Sequence, residues 1–589
     1  MESAQMSELT DLLKQRNVRE LLAKPFSSLG YINVVKSTAA AGIASIGGAT
    51  LPQHLLPELW KNLGSRRAIV SHTGTVSFAD QADRALRLSN AFYEMGLRRD
   101  ERVATLLANE QAWFDTMLAC LISGYKMPML NTHLKSAELV KCINSCQPKI
   151  LIFSPEFIDV VKEMEPKLES SPTLVCTGPG DLPAHYCTLD SLLQGAKPAL
   201  PAALSGSVGL PVMPFSGGST GVPKFVTEAG AKGKNNPRMK GMDAASLKSL
   251  QAKLVGGLAR LGFWSIPGPI VSMIPGPLYH AGPQTAVLPL FFGSTIVPMR
   301  KFDAEEFLKL IEKEKVNYTF VAPTMLERVL KLPDEITNKY DLSSMKVILC
   351  AAAPCPDYVK RDINALFKKQ GAKSNVFHEY YGSSEAAIIT VLTPEDYEAN
   401  PQRYKSVGKP SGSVCRIYDP DERRWCKTGE VGHVLVRNIR MYRVQYGNSN
   451  EMDNAFTEVD GLYWYDDGCL GYFDEDGYLY LTSRSKDMII SGGVNIFPPE
   501  IEEVLKTHPN IMDVAVVKVP DEDLGEVPGA IIQSVDGNEI PTDEVIAYCK
   551  DKGLYGFKLP KAVKFIEKLP KNDAGKIRKV DLEQVFVES

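Results

Sequence analysis

With 589 residues, the chain exceeds the roughly 100–200 residues of one domain and holds material for several hydrophobic cores. A formal net charge of −4 with 23% charged residues describes an ordinary globular surface, which speaks against nucleic acid or an acidic membrane as partner. Eleven cysteines without paired metal-type spacing read as free thiols of a reducing compartment rather than a disulfide framework.

The N-terminus lacks a basic region followed by an apolar core, so no secretory leader is expected and the cytoplasm is the default location. Residues 37–53 are uncharged and rich in Ala, Gly and Ser, too weakly apolar for a membrane span. A plain loop and a segment resting on a membrane or partner both stay open. Residues 1–54 are therefore set aside as an extension without an assigned role.

Short β-branched runs follow at 103–107, 149–153, 317–321 and 346–349, each beside a helix-like pattern. This alternation predicts an α/β fold with parallel-rich sheets. Cys142 and Cys146 fit i, i+4 packing on a helix better than a metal site. The Gly- and Lys-rich run 228–240 reads as a loop, and Leu247, Leu250, Leu254, Leu258 and Leu261 predict a helix over 243–261. Asp303 can cap a helix whose Glu306 reaches back, as in a capping box.

A β-like segment at 478–482 gives way to Ser483-Arg484-Ser485-Lys486-Asp487. Beyond it, a helix at 499–505, strands at 514–519 and 530–535, and a helix at 543–552 predict a small α+β unit. The expected organisation is a large domain over 55–483, a hinge at 484–488 and a C-terminal domain over 489–589. No internal repeat is visible, and Val587-Glu588-Ser589 does not match the peroxisomal tripeptide.

The most telling run is Ser216-Gly217-Gly218-Ser219-Thr220-Gly221-Val222-Pro223-Lys224, after the apolar Val212-Met213-Pro214-Phe215. Its glycines let backbone N–H groups approach an anion, while hydroxyls and a lysine add donors for phosphate oxygens. It reads as a polyphosphate cradle, although the spacing of the common nucleotide P-loop is absent and Pro223 stands directly before Lys224. Taken alone, a flexible Gly/Ser turn is the plain alternative.

Further motifs follow in order: Pro277-Leu278-Tyr279-His280-Ala281-Gly282, Ala322-Pro323-Thr324-Met325-Leu326, Ala351-Ala352-Ala353-Pro354-Cys355-Pro356 and Glu379-Tyr380-Tyr381-Gly382-Ser383-Ser384-Glu385. After them come Asp467-Gly468-Cys469, Arg484 with Lys486, Ser491-Gly492-Gly493-Val494-Asn495-Ile496, and Leu569-Pro570-Lys571-Asn572-Asp573-Ala574-Gly575-Lys576-Ile577. In order and approximate spacing these resemble the motifs of the adenylate-forming superfamily, which includes acyl-CoA synthetases, luciferases and the adenylation domains of peptide synthetases. The likeness spans nearly the whole chain from about residue 55.

The resemblance implies a large multi-subdomain N-terminal domain, a small mobile C-terminal domain, and the substrates ATP, Mg²⁺ and CoA. It implies that the 216–224 loop and Lys224 hold phosphates, that Ala352, Ala353 and Pro354 form part of the adenine wall, and that Tyr381 stacks on adenine. Ser384 would bond phosphate. Glu385, with Thr220, would hold Mg²⁺, a hard cation suited to a polyphosphate on oxygen ligands. His280 would border the acyl pocket, with a packed core histidine as the alternative. Arg484 would contact ribose, Lys486 would mark the hinge, and Gly492 and Gly493 would let a pantetheine arm pass. Lys576 would neutralise charge between the acyl carboxylate and the α-phosphate.

Three positions depart from the pattern. Cys469 stands where the family has the ribose-binding aspartate, Gly217 replaces a hydroxyl residue, and Phe225 replaces a glycine. Asp467, two positions earlier, is the expected substitute for the missing carboxylate. The implied activity is an AMP-forming acid:CoA ligase acting on a fatty, steroid-like, bile-acid-like or aryl acid, with small side chains at 351–353 leaving room for bulk. An adenylating enzyme with another second step, and a non-catalytic nucleotide- or acyl-binding homologue, are the alternatives. Peripheral membrane contact and the oligomeric state, monomer or homodimer, stay open.

Overall fold

The computed structural model describes residues 51–52, 55–204, 207–208, 211–215, 226–228, 244–280, 282–383, 385–441, 444–446, 454–492, 494–571 and 577–586. The run 216–224, most of the expected loop at 228–240, Ala281, Ser384, Gly493 and Lys576 lie outside the described residues.

Two parallel-rich sheets form the body of the N-terminal part. The first has six strands, in the spatial order Val212–Pro214, Met127–Met129, Val103–Leu106, Ile150–Phe153, Thr173–Cys176 and Cys187–Thr188, and every pairing in it is parallel. Strands such as Val103–Leu106 and Ile150–Phe153 are buried at every position, as continuous apolar runs must be when helices cover both faces.

The second sheet has nine strands. Its centre places Phe377–Ser383, Val347–Cys350, Tyr318–Val321 and Val271–Ile274 side by side, all parallel. Antiparallel strands Ala387–Leu392 and Lys409–Pro410 extend one edge. The expected strands at 103–107, 149–153, 317–321 and 346–349 are thus present to within a residue or so.

Helix Gln111–Ser123 lies between these layers with every residue buried. Its sequence has no polar face to give to solvent, so burial all round is its stable solution. Its one carboxylate, Asp115, receives Arg84 Nη2 at 2.6 Å and Gln81 Nε2 at 2.8 Å, because an unpaired charge there would be costly. Glu110, just before this helix, accepts the Ser154 and Thr177 hydroxyls at 2.9 and 2.8 Å and Arg300 Nη1 at 3.0 Å. Arg300 follows the strand Thr295–Pro298 of the second sheet, so this carboxylate ties the two sheets together.

The helix Ala304–Glu314 starts as expected, with the Asp303 carboxylate accepting the Glu306 N–H at 2.9 Å. The Glu306 carboxylate turns to Lys309 at 2.9 Å rather than back to the cap, an i, i+3 pairing of neighbours on the helix surface. The leucine pattern forms helix Ala244–Ala259. Cys142 and Cys146 lie buried on helix Ser136–Cys146, and all eleven cysteines are free thiols.

A largely antiparallel sheet follows, carrying Val414–Asp419, Gly432–Arg437, Leu462–Phe473 and Leu479–Arg484. After the short turn Ser485–Asp487, a separate small unit has its own sheet, with Ile489–Ser491, Val494–Ile496, Ile511–Asp521, Gly525–Ser534 and Ala562–Phe565. Helices Pro498–Lys506 and Thr542–Asp551 cover it, and Ile501, Leu505, Val514, Val516 and Ile532 form its buried core. Among the described residues, no helix is long and apolar enough to cross a membrane.

Candidate active site

The C-terminal ends of four adjacent parallel strands carry four of the sequence motifs. Val271–Ile274 leads into Tyr279, His280 and Gly282; Tyr318–Val321 into Ala322–Met325; Val347–Cys350 into Ala351–Pro354; and Phe377–Ser383 carries Glu379 to Ser383 itself. In an open parallel sheet, this edge is where diverging loops leave a crevice for ligands.

Within that edge, Tyr279 is buried and His280 half-buried, with their rings 4.5 Å apart between centroids. The loop before them is held by Asn109, a residue that no motif singled out. Its side chain donates to the Gly276 carbonyl at 2.7 Å and accepts the Leu278 N–H at 2.9 Å. Gly282 faces Phe320 so closely that a Cβ would lie 2.5 Å from the ring. Phe320 in turn packs against Tyr380, 6.2 Å between ring centroids. Tyr279, Gly282, Phe320 and Tyr380 thus connect three of the four strand ends, across the intervening strand Val347–Cys350.

In the next loop, Ala351 is buried, Ala352 and Pro354 are exposed, and Ala353 is half-buried. Ala352 has φ +78°, a left-handed conformation that costs a residue with a Cβ roughly 1–2 kcal/mol. The backbone here is therefore one that suits glycine, although an alanine occupies it.

Glu379 is buried and its carboxylate is taken up by the buried Lys360 ammonium, which also donates to the Ser406 carbonyl at 3.1 Å. Burial alone lowers the Lys360 pKa, yet Glu379 outweighs it and holds the ammonium above its ordinary value. This pair bolts helix Asp357–Lys369 to the motif strand. Lys360 stands nineteen residues before Glu379 on another element, so no local pattern announces it. At the strand's end, a Cβ on Gly382 would lie 1.8 Å from the Ala387 carbonyl, so only glycine lets the hairpin close. Ser383 Oγ accepts the Ala386 N–H at 3.0 Å, and Glu385 is buried.

Facing Tyr381 is a bulge in the strand Leu462–Phe473. His433 pairs with Leu470 while Leu435 pairs with Asp466, so Asp467, Gly468 and Cys469 stand opposite the single residue Val434. Gly468 makes the bend with φ +77°. The Tyr381 hydroxyl donates to the Asp467 carboxylate, and the Cys469 thiol is also within its reach. Asp467 further accepts the Cys469 N–H at 3.1 Å. Burial pushes the Asp467 carboxyl above its ordinary value, against the pull of Tyr381, the Cys469 N–H and Arg484. Arg484 is the cross-strand partner of Cys469. Asp466 braces the same bulge, accepting the Gly468 N–H at 2.8 Å and meeting His433 Nδ1 at 2.8 Å.

Tyr381, Asp467, Cys469 and Arg484 are therefore brought together. Lys486 is exposed in the turn after Arg484. Gly492 has φ +54° in the C-terminal unit, where a Cβ would lie 3.1 Å from Leu524. Ser216 to Gly221, Lys224, Ser384, Gly493 and Lys576 lie outside the described residues. Among the described residues, no group of three or more His, Cys, Asp or Glu could hold a metal ion.

Residues 58–444 match the model of the AMP-binding enzyme family and residues 500–576 that of the AMP-binding enzyme C-terminal domain. The chain is 30% identical over 523 residues to a feruloyl-CoA synthase of an Amycolatopsis species, spanning 88% of this chain and 95% of that one. It is 26% identical over 540 residues to a CoA ligase of Rhodococcus jostii, covering 88% and 95% of the two chains. That ligase is named for a propanoyl group bearing a methyl-dioxo-octahydro-indenyl ring system. Among solved structures it resembles the amide bond synthetase McbA from Marinactinospora thermotolerans, with TM-score 0.73, 26% identity and coverage of 91% of this chain and 100% of that chain.

Proposed function

We propose, for a chain that belongs to the AMP-binding enzyme family, that its acid is a bulky apolar carboxylate of the fatty, aryl or steroid-like kind. The protein is an AMP-forming acid–thiol ligase whose substrates are a carboxylic acid, ATP and CoA. The observation that carries the reading is the meeting of four motif loops at adjacent strand ends with the Asp467–Cys469 bulge opposite Tyr381.

In the first half-reaction, an acid oxygen attacks the α-phosphate of MgATP and pyrophosphate leaves, giving the acyl-adenylate. Lys576, Thr220 and Ser384 stabilise the negative charge that builds up between the reactants. The 216–221 loop and Lys224 hold the phosphates, and Glu385 with Thr220 hold the Mg²⁺ that arrives with ATP. Tyr381 with Ala352, Ala353 and Pro354 encloses the adenine, while Arg484 and Asp467 take the ribose. Glu379 and Tyr380 shape the wall from behind, Glu379 through its ion pair with Lys360.

In the second half-reaction, the CoA thiol attacks the activated carbonyl and AMP leaves. One lysine in a rigid site cannot serve both steps, so the C-terminal unit turns about Lys486, withdrawing Lys576 and presenting Gly492 and Gly493 to the pantetheine arm. His280 borders the acyl group. The small side chains of Ala351 to Ala353, together with the ring-bearing acyl groups named for the Amycolatopsis and Rhodococcus relatives, support a bulky acid. The free thiols support a reducing compartment, the cytoplasm.

The test is pyrophosphate release from MgATP with dodecanoate, ferulate and cholate, with and without CoA, beside Lys576→Ala. CoA-dependent thioester that is lost in the variant is the expected result. Release without a CoA-dependent product would move the second step to another acceptor, as the similarity to an amide bond synthetase would favour. No release with any acid would favour the non-catalytic reading.

A further inference from the structure

Residues 571 and 577, which flank the run ending in Lys576, are both described and form a base. Lys571 and Ile577 form an antiparallel bridge, and the Arg578 N–H donates to the Pro570 carbonyl at 2.9 Å. Ile577 follows Lys576 directly, so the two Cα atoms are about 3.8 Å apart. Whatever fixes this base also restricts where the Lys576 backbone can be.

Two ion pairs bracket the base. Before it, the Lys571 ammonium pairs with Asp513; after it, Lys579 pairs with Glu502 at 2.7 Å. The two carboxylates come from elements packed against each other, Glu502 from helix Pro498–Lys506 and Asp513 from strand Ile511–Asp521. Lys506, one helical turn after Glu502, pairs with Asp513 at 3.3 Å and is drawn to Glu502 as well. The result is an alternating chain of charges, Lys579, Glu502, Lys506, Asp513, Lys571. Glu502 is fixed further by accepting the Val516 N–H at 2.8 Å. Burial alone would raise the Asp513 carboxyl, but its two lysines hold it below the ordinary aspartate value.

These five groups carry one surplus positive charge. Glu327, on helix Pro323–Leu330, which carries Pro323 to Leu326 of the second strand-end motif, attracts Lys506. Tyr358, on helix Asp357–Lys369, is within electrostatic reach of both Asp513 and Glu327. Two N-terminal helices thus bring Glu327 and Tyr358 within electrostatic reach of the charge chain.

We propose that Asp513 and Glu502 are positioning residues for the adenylation half-reaction, holding Lys571 and Lys579 so that Lys576 is presented at a fixed place while Glu327 balances the surplus charge. The inference rests on the reading of Lys576 as the adenylation lysine. An isolated surface ion pair would carry little; five alternating charges, partly buried and bonded to backbone, form a network that fixes geometry. Removing Asp513 would take from Lys571 its carboxylate partner and from Lys506 one of its carboxylates, and would loosen the base.

The experiment separates the half-reactions in the full-length chain. Asp513→Asn, Asp513→Glu, Lys571→Met and Lys576→Ala are compared for pyrophosphate release, using whichever of dodecanoate, ferulate and cholate the wild-type chain adenylates fastest. The same variants are assayed for consumption of the matching synthetic acyl-adenylate by CoA, with thermal unfolding followed alongside. Asp513→Asn is expected to lower kcat for pyrophosphate release roughly ten- to a hundredfold, with KM for ATP and acid within about twofold of wild type. Acyl-adenylate consumption stays at the wild-type rate, and Asp513→Glu recovers most of the loss. Lys571→Met gives the same split should Asp513→Asn not fold. Equal loss in both half-reactions overturns the proposal, as does unchanged release in Asp513→Asn when Lys576→Ala abolishes it. Unchanged release in Lys576→Ala overturns the underlying reading instead, and this inference with it.

Discussion

The Tyr381 hydroxyl donates to the Asp467 carboxylate, which joins the motif strand of the central sheet to a bulge of the neighbouring antiparallel sheet. A carboxylate two positions from the expected one is thereby brought to Tyr381. Asp467→Asn is expected to raise the KM for ATP about ten- to a hundredfold, the loss of a charged hydrogen bond. Because burial holds the folded-state pKa of Asp467 above its ordinary value, ionisation of this group works against folding as pH rises. The same variant is therefore expected to unfold at a higher temperature at neutral pH. Cys469→Asp is expected to lower the KM for ATP. Steady-state kinetics beside calorimetry checks all three, and an unchanged KM in Asp467→Asn would remove Asp467 from the ribose site.

His433 and Asp466 give a second pH dependence with a known sign. The Asp466 hydrogen bond, offset in part by burial, holds His433 above the ordinary histidine pKa. Its contribution to stability is complete below the unfolded value of about 6.5 and is lost as pH rises through the raised folded value. Urea midpoints measured upward from that pH are expected to fall in wild type, and the slope is expected to flatten in His433→Gln.

The buried pair Lys360 and Glu379 is expected to behave asymmetrically. Lys360→Met leaves a buried carboxylate without its cation and is expected to destabilise the fold by about 3–5 kcal/mol. Lys360→Met combined with Glu379→Leu removes both charges and is expected to return most of that loss. Denaturant unfolding of both variants decides it; equal destabilisation would mean that packing rather than charge governs the site.

Ala352, with φ +78°, predicts an order of stabilities. Ala352→Gly relieves the left-handed strain of roughly 1–2 kcal/mol, less the roughly 0.5–1 kcal/mol by which glycine costs more chain entropy. It is expected to match or slightly exceed wild type. Ala352→Val, β-branched at positive φ, is expected to fall below both. Thermal midpoints of the three proteins rank them, and a valine variant as stable as alanine would refute the strain argument.

What was legible in the sequence was local. Asp303 caps its helix because the acceptor and the N–H lie three residues apart, and the C-terminal helices and strands appear within a residue or two at most ends because periodicity is written into each segment. The four strand-end motifs were likewise visible as runs. Their meeting at one edge follows from parallel strand order, which no single run contains. The bulge at Asp467 to Cys469 exists only through the register of the partner strand, where Val434 faces three residues. Lys360 reaches Glu379, and Asn109 reaches Gly276 and Leu278, across elements that only packing makes neighbours. Short-range geometry is fixed by covalent spacing, so composition and pattern determined the elements and the chemistry on offer. Register, burial and charge pairing depend on which distant segments exclude water together, so the tertiary structure alone decided which carboxylate faces Tyr381 and which is spent on a lysine.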